Sequence, residues 1–180
     1  KVLSFNLFDF RHNKAQEDVF DFIMFMFPYY LNNALQQGIY RAYKNFKHND
    51  SNIRGTINLN RHIKNNVPFI GNIAYSTREH SDDNDMTQLI RHTIEFKKKK
   101  KYGNAILNMN RETINNVKFI VDHTQSYKKS ERSIVINKNL RQRSHPFYTE
   151  YMPLQALCIQ ILRMEEVKYG NNNDDIFGII

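Results

Sequence analysis

Residues 52–96 constrain the fold more than any other stretch, because a strand pattern, a turn and a helix pattern follow one another there. From Ile53 to Leu59, apolar and polar residues roughly alternate, which is typical of a half-buried strand. Gly55 interrupts the alternation, and a glycine inside a strand marks a bulge or the close approach of another backbone. A polar turn at residues 65–68 and a second strand at residues 73–75 follow. The sequence therefore predicts a short β-hairpin in the first half of the chain.

A helix is predicted directly after this hairpin. Its apolar positions recur at spacings of three and four, which places them on one face: Met86, Leu89, Ile90, Thr93 and Ile94. Ser81, Asp82 or Asp83 can cap the helix by accepting from its first free N–H groups. The lysines at residues 97–101 would lie at the negative end of the helix dipole.

Four arginines in this region each lie beside an apolar position: Arg54, Arg61, Arg78 and Arg91. A guanidinium can brace a hairpin against a helix, or it can face the phosphate of a ligand. We favour the brace, because most charged residues bind no ligand. For Arg54 we expect a buried charge-assisted hydrogen bond whose loss costs about 1.5–3 kcal/mol.

The rest of the chain is mainly helical by periodicity. A helix begins near Lys14 and either kinks or restarts at Pro28, because proline cannot donate to the preceding turn. The second piece would carry Leu31, Leu35, Ile39, Tyr40, Tyr43 and Phe46. These aromatic residues either pack in the core, which we favour, or stack on bases.

In the second half, residues 111–121 form a short helix or strand, and residues 133–141 form another short element. The last helix runs from near Thr149 to Gly170 and buries Leu154, Leu157, Cys158, Ile161 and Leu162. Residues 2–10 form a strand or an extended lead-in. The predicted class is α+β, mainly helical, with the hairpin in the first half.

Charge is concentrated in the second half of the chain. The net charge is +8, and residues 91–180 carry +7 of it. A basic surface suits a polyanion such as DNA, because neutralised phosphates release their counterions. The candidate DNA contacts are Lys98, Lys99, Lys100, Arg141, Arg143 and His145. For the lysines a solvated helix end is favoured. The basic and aromatic residues at 141–151 either grip DNA or cap the last helix.

Several classes of site find no support in the sequence. The single cysteine, Cys158, lies among apolar residues, so a buried thiol in a reducing cytoplasm is expected. The histidines show no metal-ligand spacing, and there is no phosphate-binding glycine loop. The most apolar stretch, residues 19–31, is too short to cross a bilayer, which needs about 20 residues. We expect no metal or cofactor in this chain and no membrane partner.

A set of short motifs resembles McrC, the nuclease-bearing subunit of modification-dependent McrBC restriction systems, in its LlaJI-type branch. The motifs are Ile53-Arg54-Gly55-Thr56-Ile57-Asn58, Arg61-His62, Asp83-Asn84, Leu89-Ile90-Arg91, Ala34-Leu35-Gln36-Gln37-Gly38-Ile39-Tyr40 and His145-Pro146-Phe147-Tyr148-Thr149-Glu150-Tyr151. The chain departs from the family at Thr56 and Asn58, where Arg and Asp are usual. It also has Thr87-Gln88 where Asn-Arg is frequent.

The resemblance implies one McrC-like central domain over residues 1–180, and we also allow two lobes, residues 1–101 and 102–180. It implies two partners, an McrB-like AAA+ GTPase and DNA. It also implies a role in defence against foreign DNA, in which GTPase binding is connected to cleavage at methylated or otherwise modified sites. The alternatives are a non-enzymatic basic DNA-binding module and a scaffold without a ligand.

The family cuts DNA with a PD-(D/E)xK site that uses Mg²⁺, and by resemblance this nuclease core is expected after residue 180. Two Glu-x-Lys strings occur, at Glu95–Lys97 and Glu166–Lys168, but both lie in helical periodicity. We therefore assign no catalytic residue, leave the enzymatic status of the chain open, and expect that the chain alone does not cut DNA.

Overall fold

The structure is a computed structural model that describes residues 13–100, 102–142 and 146–168, and for residues 13–18 and 165–168 it describes the backbone alone. The described part contains seven α-helices and three strands, so the predicted mainly helical α+β class is confirmed. In order they are α1 Asn13–Gln36, β1 Ala42–Asp50, β2 Thr56–Ile57, α2 Leu59–Asn65, β3 Ile73–Ser81, α3 Asp85–Lys98, α4 Gly103–Leu107, α5 Arg111–His123, a 3₁₀ turn at Lys129–Glu131, α6 Arg132–Arg141 and α7 Tyr151–Lys168.

The chain divides into two compact units. The larger consists of Lys1–Tyr40 and Asp85–Ile180, and the smaller, which we call unit 2, consists of Arg41–Asn84. The larger unit is helical, whereas unit 2 holds the sheet and α2. The boundaries between these units lie after Tyr40 and after Asn84, not at the predicted lobe boundary at residue 101. Whether the chain forms one McrC-like domain stays a prediction.

The long helix α1 supplies one side of the core of the larger unit. This helix packs against α7. Its inner face is buried and comprises Phe20, Ile23, Met24, Phe27, Leu31 and Ala34. The helix continues through Pro28 to Gln36, so a second helix does not begin there. Gly38, whose φ is 86°, follows its end, in the left-handed conformation that glycine tolerates.

The predicted continuation of this helix to Phe46 is wrong. Residues 42–50 form β1, which pairs antiparallel with β3 from Ala42 opposite Ser81 to Asp50 opposite Ile73. The side chains of β1 alternate between more and less exposed positions, as a strand on a sheet edge requires. Tyr40, Tyr43 and Phe46 are three residues apart, and this spacing imitates a helix face.

The hairpin prediction was partly correct. The second strand exists and is longer than expected, since β3 spans Ile73–Ser81 and lies in the middle of the order β1-β3-β2. The first strand is limited to Thr56–Ile57, because the chain turns into α2 at Leu59. Asn58 caps this helix, its side-chain oxygen accepting from the Arg61 N–H at 3.0 Å.

The helix α3 is confirmed, and all five of its predicted apolar positions are buried. Asp85 lies in its first turn and Lys97 and Lys98 in its last, in agreement with the expected dipole arrangement. Capping by Ser81, Asp82 or Asp83 stays a prediction. The helix also buries polar side chains, among them Thr87 and His92, which its spacing pattern did not indicate.

In the second half of the chain, the elements predicted at residues 111–121, at 133–141 and from near Thr149 are helices in the structure. Asn110 caps α5, its side-chain oxygen accepting from the Thr113 N–H at 2.7 Å, and α6 covers the short element predicted at 133–141. In α7 the five predicted apolar positions are buried, including Cys158. No helix in the described ranges is long and apolar enough to cross a membrane. The expectations for residues 2–10 and for Gly170 concern positions outside the described residues.

Lys97 contradicts the expectation of a solvated lysine cluster at the end of α3. Its side chain is fully buried in the larger unit. The ammonium donates to the Met24 carbonyl oxygen and lies 4.9 Å from the centre of the Phe27 ring. Burial lowers the pKa of this amine to about 7, against an ordinary value of 10.5, although the nearby Cys158 thiol acts in the opposite direction.

We predict that Lys97 makes the stability of the chain depend on alkaline pH. Between pH 7 and 10.5 the unfolded amine binds a proton that the folded amine has lost, so the free energy of unfolding rises with pH. The rise from pH 7 to pH 9.5 should be about 2–3 kcal/mol, and it should disappear in Lys97→Met. Urea denaturation at both pH values measures this.

Lys99→Met, at an exposed position of the same lysine cluster, is the matched control and should keep the rise. Parallel pH curves for the unmodified chain and Lys97→Met would show that the buried amine stays charged in the folded state.

Candidate partner-binding surface

The lysines proposed as DNA contacts lie at the end of α3 and differ in their surroundings. Lys98 forms an ion pair with Glu95 at 2.9 Å, and Lys100 lies 4.8 Å from the centre of the Phe96 ring. Lys99 is exposed. The Glu95–Lys97 string is not a catalytic pair, because the amine of Lys97 is in the core while the carboxylate of Glu95 binds Arg91 and Lys98.

Arg141 lies at the opposite end of α3 from these lysines. Near the end of α6, Lys138 binds the carboxylate of Asp85 at 3.0 Å, whereas Arg132, at the start of α6, lies against Phe96. The two helices therefore run antiparallel. The fourteen residues of α3 separate the two ends by about 20 Å. The structure thus does not gather the described basic candidates into one cluster, and Arg143 and His145 are outside the described residues.

The aromatic residues before α7 join it to the end of α1. The Tyr151 hydroxyl accepts from the Tyr40 N–H at 3.1 Å and donates to the Gly38 carbonyl at 2.8 Å. The ring of Tyr40 contacts those of Tyr148 and Tyr151. Gln37 reaches the same turn, where its amide oxygen accepts from the Glu150 N–H. For the residues at 141–151 we considered a grip on DNA and a cap on the last helix. The contacts described here are those of a cap.

Arg91 braces α3 within the larger unit. Its guanidinium pairs with Glu95 at 3.2 Å and lies 5.0 Å from the centre of the Tyr127 ring. The neighbouring His92 is buried against the same ring, and its Nε2 has no hydrogen-bond partner among the described residues. Burial, followed by the charge of Arg132, lowers the pKa of His92 to about 4. His92 is therefore a neutral packing residue near pH 7.

Arg61 is the brace of unit 2, as the sequence suggested. Its Nη2 donates to the His48 carbonyl, on β1, at 3.1 Å and to the Tyr75 carbonyl, on β3. Asn66 closes the far end of α2, its amide hydrogen-bonding with the Asn49 amide and with the Nδ1 of His62. Polar contacts of this kind hold α2 on the sheet.

The opposite side of α2 and the loop after it expose large apolar side chains. Leu59 and Ile63 lie four residues apart on one helix face, and the helix buries none of its residues. We call the apolar surface of unit 2 the set Ile53, Ile57, Leu59, Ile63, Val67, Phe69 and Ile70, whose members are each 43–73% exposed. Large exposed apolar patches often mark sites of protein interaction. The sequence analysis placed Ile53, Ile57 and Leu59 in a half-buried strand and so missed this surface.

Comparison with protein families gives a match over the whole chain. The model described as McrBC 5-methylcytosine restriction system component matches residues 1–180. The chain belongs to the McrBC family. No curated protein matches it.

Two solved structures share the fold at low sequence identity. One is a refined half-complex from a tetradecameric assembly of Thermococcus gammatolerans McrB AAA+ hexamers with bound McrC. It is 12% identical with a TM-score of 0.51, over 85% of this chain and 34% of that chain. The other is the Thermococcus gammatolerans McrBC complex, 14% identical with a TM-score of 0.52, over 86% and 49%. The present chain thus spans less than half the length of each.

The structure shows the contacts of several motif residues that lie in unit 2. A side chain at Gly55 would overlap the Ser76 carbonyl oxygen, so the expected close backbone approach is confirmed. The Asp83 carbonyl accepts from Lys44 at 3.2 Å, and Asn84 donates to the Ser81 carbonyl at 2.9 Å. In contrast, Arg54 is exposed and has no hydrogen bond with a described residue. The buried charge-assisted bond expected for Arg54 is therefore wrong. Pro146 is exposed and lies in the turn before α7.

We predict that Arg61→Ala destabilises unit 2, while Arg54→Ala does not. Loss of the two hydrogen bonds from Arg61 to the His48 and Tyr75 carbonyls should lower the free energy of unfolding by about 1.5–3 kcal/mol, because the acceptors are partly buried. The exposed Arg54 should change stability by no more than about 0.5 kcal/mol. Hydrogen exchange of the β1 and β3 amides measures both. Equal protection in the two variants would show that α2 does not depend on Arg61.

Proposed function

We propose that this chain is part of an McrC-like subunit that binds an McrB-like AAA+ GTPase in the cytoplasm and connects GTP hydrolysis to cleavage of modified DNA. The observation that supports this best is the apolar surface of unit 2. Seven large apolar side chains within eighteen residues face solvent, and exposed apolar residues in such numbers are typical of a protein-interaction site.

The composition of the surface suits a protein partner. Its members are aliphatic except Phe69, and aromatic anchors of this kind often dominate the binding energy at interfaces. The supports beneath it are polar and already engaged, since Arg61, Asn66 and His62 bind within unit 2. A partner could therefore cover the apolar side of α2 without breaking the contacts that hold the helix in place.

The kind of partner follows from family membership and from the complexes of similar fold. In one of those complexes McrC is bound to McrB AAA+ hexamers, so we propose an equivalent ring as the partner of this chain. By the resemblance to McrC, we propose that cleavage by the complete subunit uses Mg²⁺. Among the described residues, no three His, Cys, Asp or Glu side chains lie close enough to hold a metal ion. We therefore assign no step of cleavage to them.

We predict that the partner ring binds through the apolar surface of unit 2. Ile63→Asp and Ile70→Asp should weaken binding of the GTPase and its stimulated GTP hydrolysis by about tenfold or more, since each places a charge in a desolvated contact. Both residues are exposed, so the melting temperature should not change. Titration of the purified GTPase with each variant, followed by phosphate release, measures the effect.

Ile114→Asp is the control, because this isoleucine is also exposed on a helix but lies on α5 in the larger unit. Normal stimulation by both unit 2 variants would exclude this surface as the contact. Failure of the unmodified protein to bind or stimulate the GTPase would instead reject the proposed function.

Contact with DNA by this chain is a second proposal, supported by the net charge of +8. Binding to duplex DNA should be weak, with a dissociation constant of about 10⁻⁴–10⁻⁶ M at physiological salt. We predict that Lys99→Ala flattens the dependence of log affinity on log salt by about 1 if it touches a phosphate. Fluorescence anisotropy across a salt series measures this, and absence of binding at low salt would reject the contact.

A further inference from the structure

Pro28 leaves a gap in the hydrogen bonding of α1, although the helix continues through it from Asn13 to Gln36. In a regular α-helix the carbonyl oxygen of residue 24 accepts from the N–H of residue 28, and proline has no N–H to donate. Met24 is 3% exposed and Phe27 is fully buried, so this part of the helix has little access to water. A buried carbonyl that lacks a donor destabilises the folded state.

The amine of Lys97 donates to this same carbonyl. Its Nζ binds the Met24 oxygen and lies 4.9 Å from the centre of the Phe27 ring, in the turn that precedes Pro28. Lys97 belongs to α3 and is 73 residues further along the chain than Met24. A side chain from another helix therefore provides the donor that a residue other than proline would provide from its own backbone.

The backbone of Lys97 is closely packed by α4. A Cβ added at Gly103, the first residue of α4, would lie 2.1 Å from the Lys97 carbonyl oxygen. The same oxygen accepts from the Lys100 N–H at 3.0 Å. A long side chain that is held at its base and fully buried loses the rotamer freedom of an exposed lysine. Its amine is therefore directed at one acceptor.

A buried amine with a lowered pKa can also act as a nucleophile or a general base. Such a role requires that a substrate reach the nitrogen. Lys97 is fully buried, next to the Phe27 ring and the buried thiol of Cys158. The neutral and the charged amine both carry N–H groups, so either form can donate to the Met24 carbonyl. The surroundings of Lys97 thus favour a structural role.

We propose that Lys97 supplies the N–H that Pro28 lacks and so locks α1 as one helix across a latent hinge. Without this bond, the proline ring against the Met24 carbonyl would bend the helix at this point. The part of α1 after Pro28 carries Leu31 and Ala34 into the core, so a bend there would displace both. Lys97 is a positioning residue for this part of α1, independently of the proposed GTPase contact.

A double-mutant cycle tests the coupling between the two residues. Lys97→Met removes the donor and keeps an apolar chain, whereas Pro28→Ala restores the backbone N–H. Lys97→Met should lower the melting temperature by about 4 °C or more beyond its effect in Pro28→Ala, because only the helix with proline then leaves the Met24 carbonyl without a donor. Thermal unfolding followed by circular dichroism at pH 7 measures this.

Pro153→Ala is the matched control. Pro153 is the third residue of α7, where a backbone N–H has no acceptor within the helix. Lys97→Met should therefore change the melting temperature equally in Pro153→Ala and in the unmodified protein. If Lys97→Met alone does not fold, folding of the variant that combines it with Pro28→Ala supports the proposal, and failure of that variant to fold overturns it.

A second measurement follows the acceptor itself. Methionine labelled with ¹³C at its carbonyl, together with phenylalanine labelled with ¹⁵N, selects the two Met-Phe pairs of the sequence, Met24–Phe25 and Met26–Phe27. Lys97→Met should shift the carbonyl signal of Met24 in NMR spectra. It should leave the signal of Met26, which accepts from the N–H of residue 30 in a regular helix. In Pro28→Ala the same replacement should shift Met24 much less.

Two results would overturn the lock. One is an equal change of melting temperature on Lys97→Met in the presence of Pro28 and of Pro28→Ala. The other is a Met24 carbonyl signal that does not respond to Lys97→Met, because a carbonyl that loses its donor must change its chemical shift.

Discussion

The larger unit depends on the burial of the apolar face of α1 against α7, with α3 completing the core. Leu31 of α1, Ile94 of α3 and Ile161 of α7 are fully buried, and each such side chain contributes about 1.5–3 kcal/mol. The same core contains the amine of Lys97 and the thiol of Cys158. Burial raises the pKa of this thiol to about 12, so it stays protonated and unreactive near neutral pH. Polar groups here are tolerated because they are neutral or hydrogen-bonded.

Sequence periodicity predicted the elements of this core, because α3 and α7 repeat apolar residues at spacings that have one structural solution. Periodicity failed where the same spacing of apolar residues fits both a helix and a strand. Tyr40, Tyr43 and Phe46 fit a helix face, but Gly38 ends the helix and β3 provides a partner strand for residues 42–50. Lys97 could not be placed from its neighbours, because five successive lysines look alike until the packing against Met24 and Phe27 is known.

The candidate sites show the same limit. Arg61 and Arg54 both lie beside apolar residues in the sequence, but only Arg61 reaches the carbonyls of β1 and β3. The alternation from Ile53 to Leu59 predicts a half-buried strand, and for that reason it does not indicate that these residues belong to an exposed apolar surface. A usable signal was present in Val67-Pro68-Phe69-Ile70, where apolar residues follow a turn and have no helix or strand in which to be buried.

The two units differ in what holds them together, and this difference bears on function. Unit 2 buries just two apolar side chains, Ala74 and Tyr75, and leaves larger ones exposed. Its sheet and α2 are held largely by directed hydrogen bonds, which fix geometry but contribute only about 0.5–1.5 kcal/mol each. A region with so small a core gains stability when its exposed apolar residues are covered, because a partner that binds only the folded state favours that state. Binding to unit 2 would therefore stabilise the region that makes the contact, whereas the larger unit has an apolar core of its own.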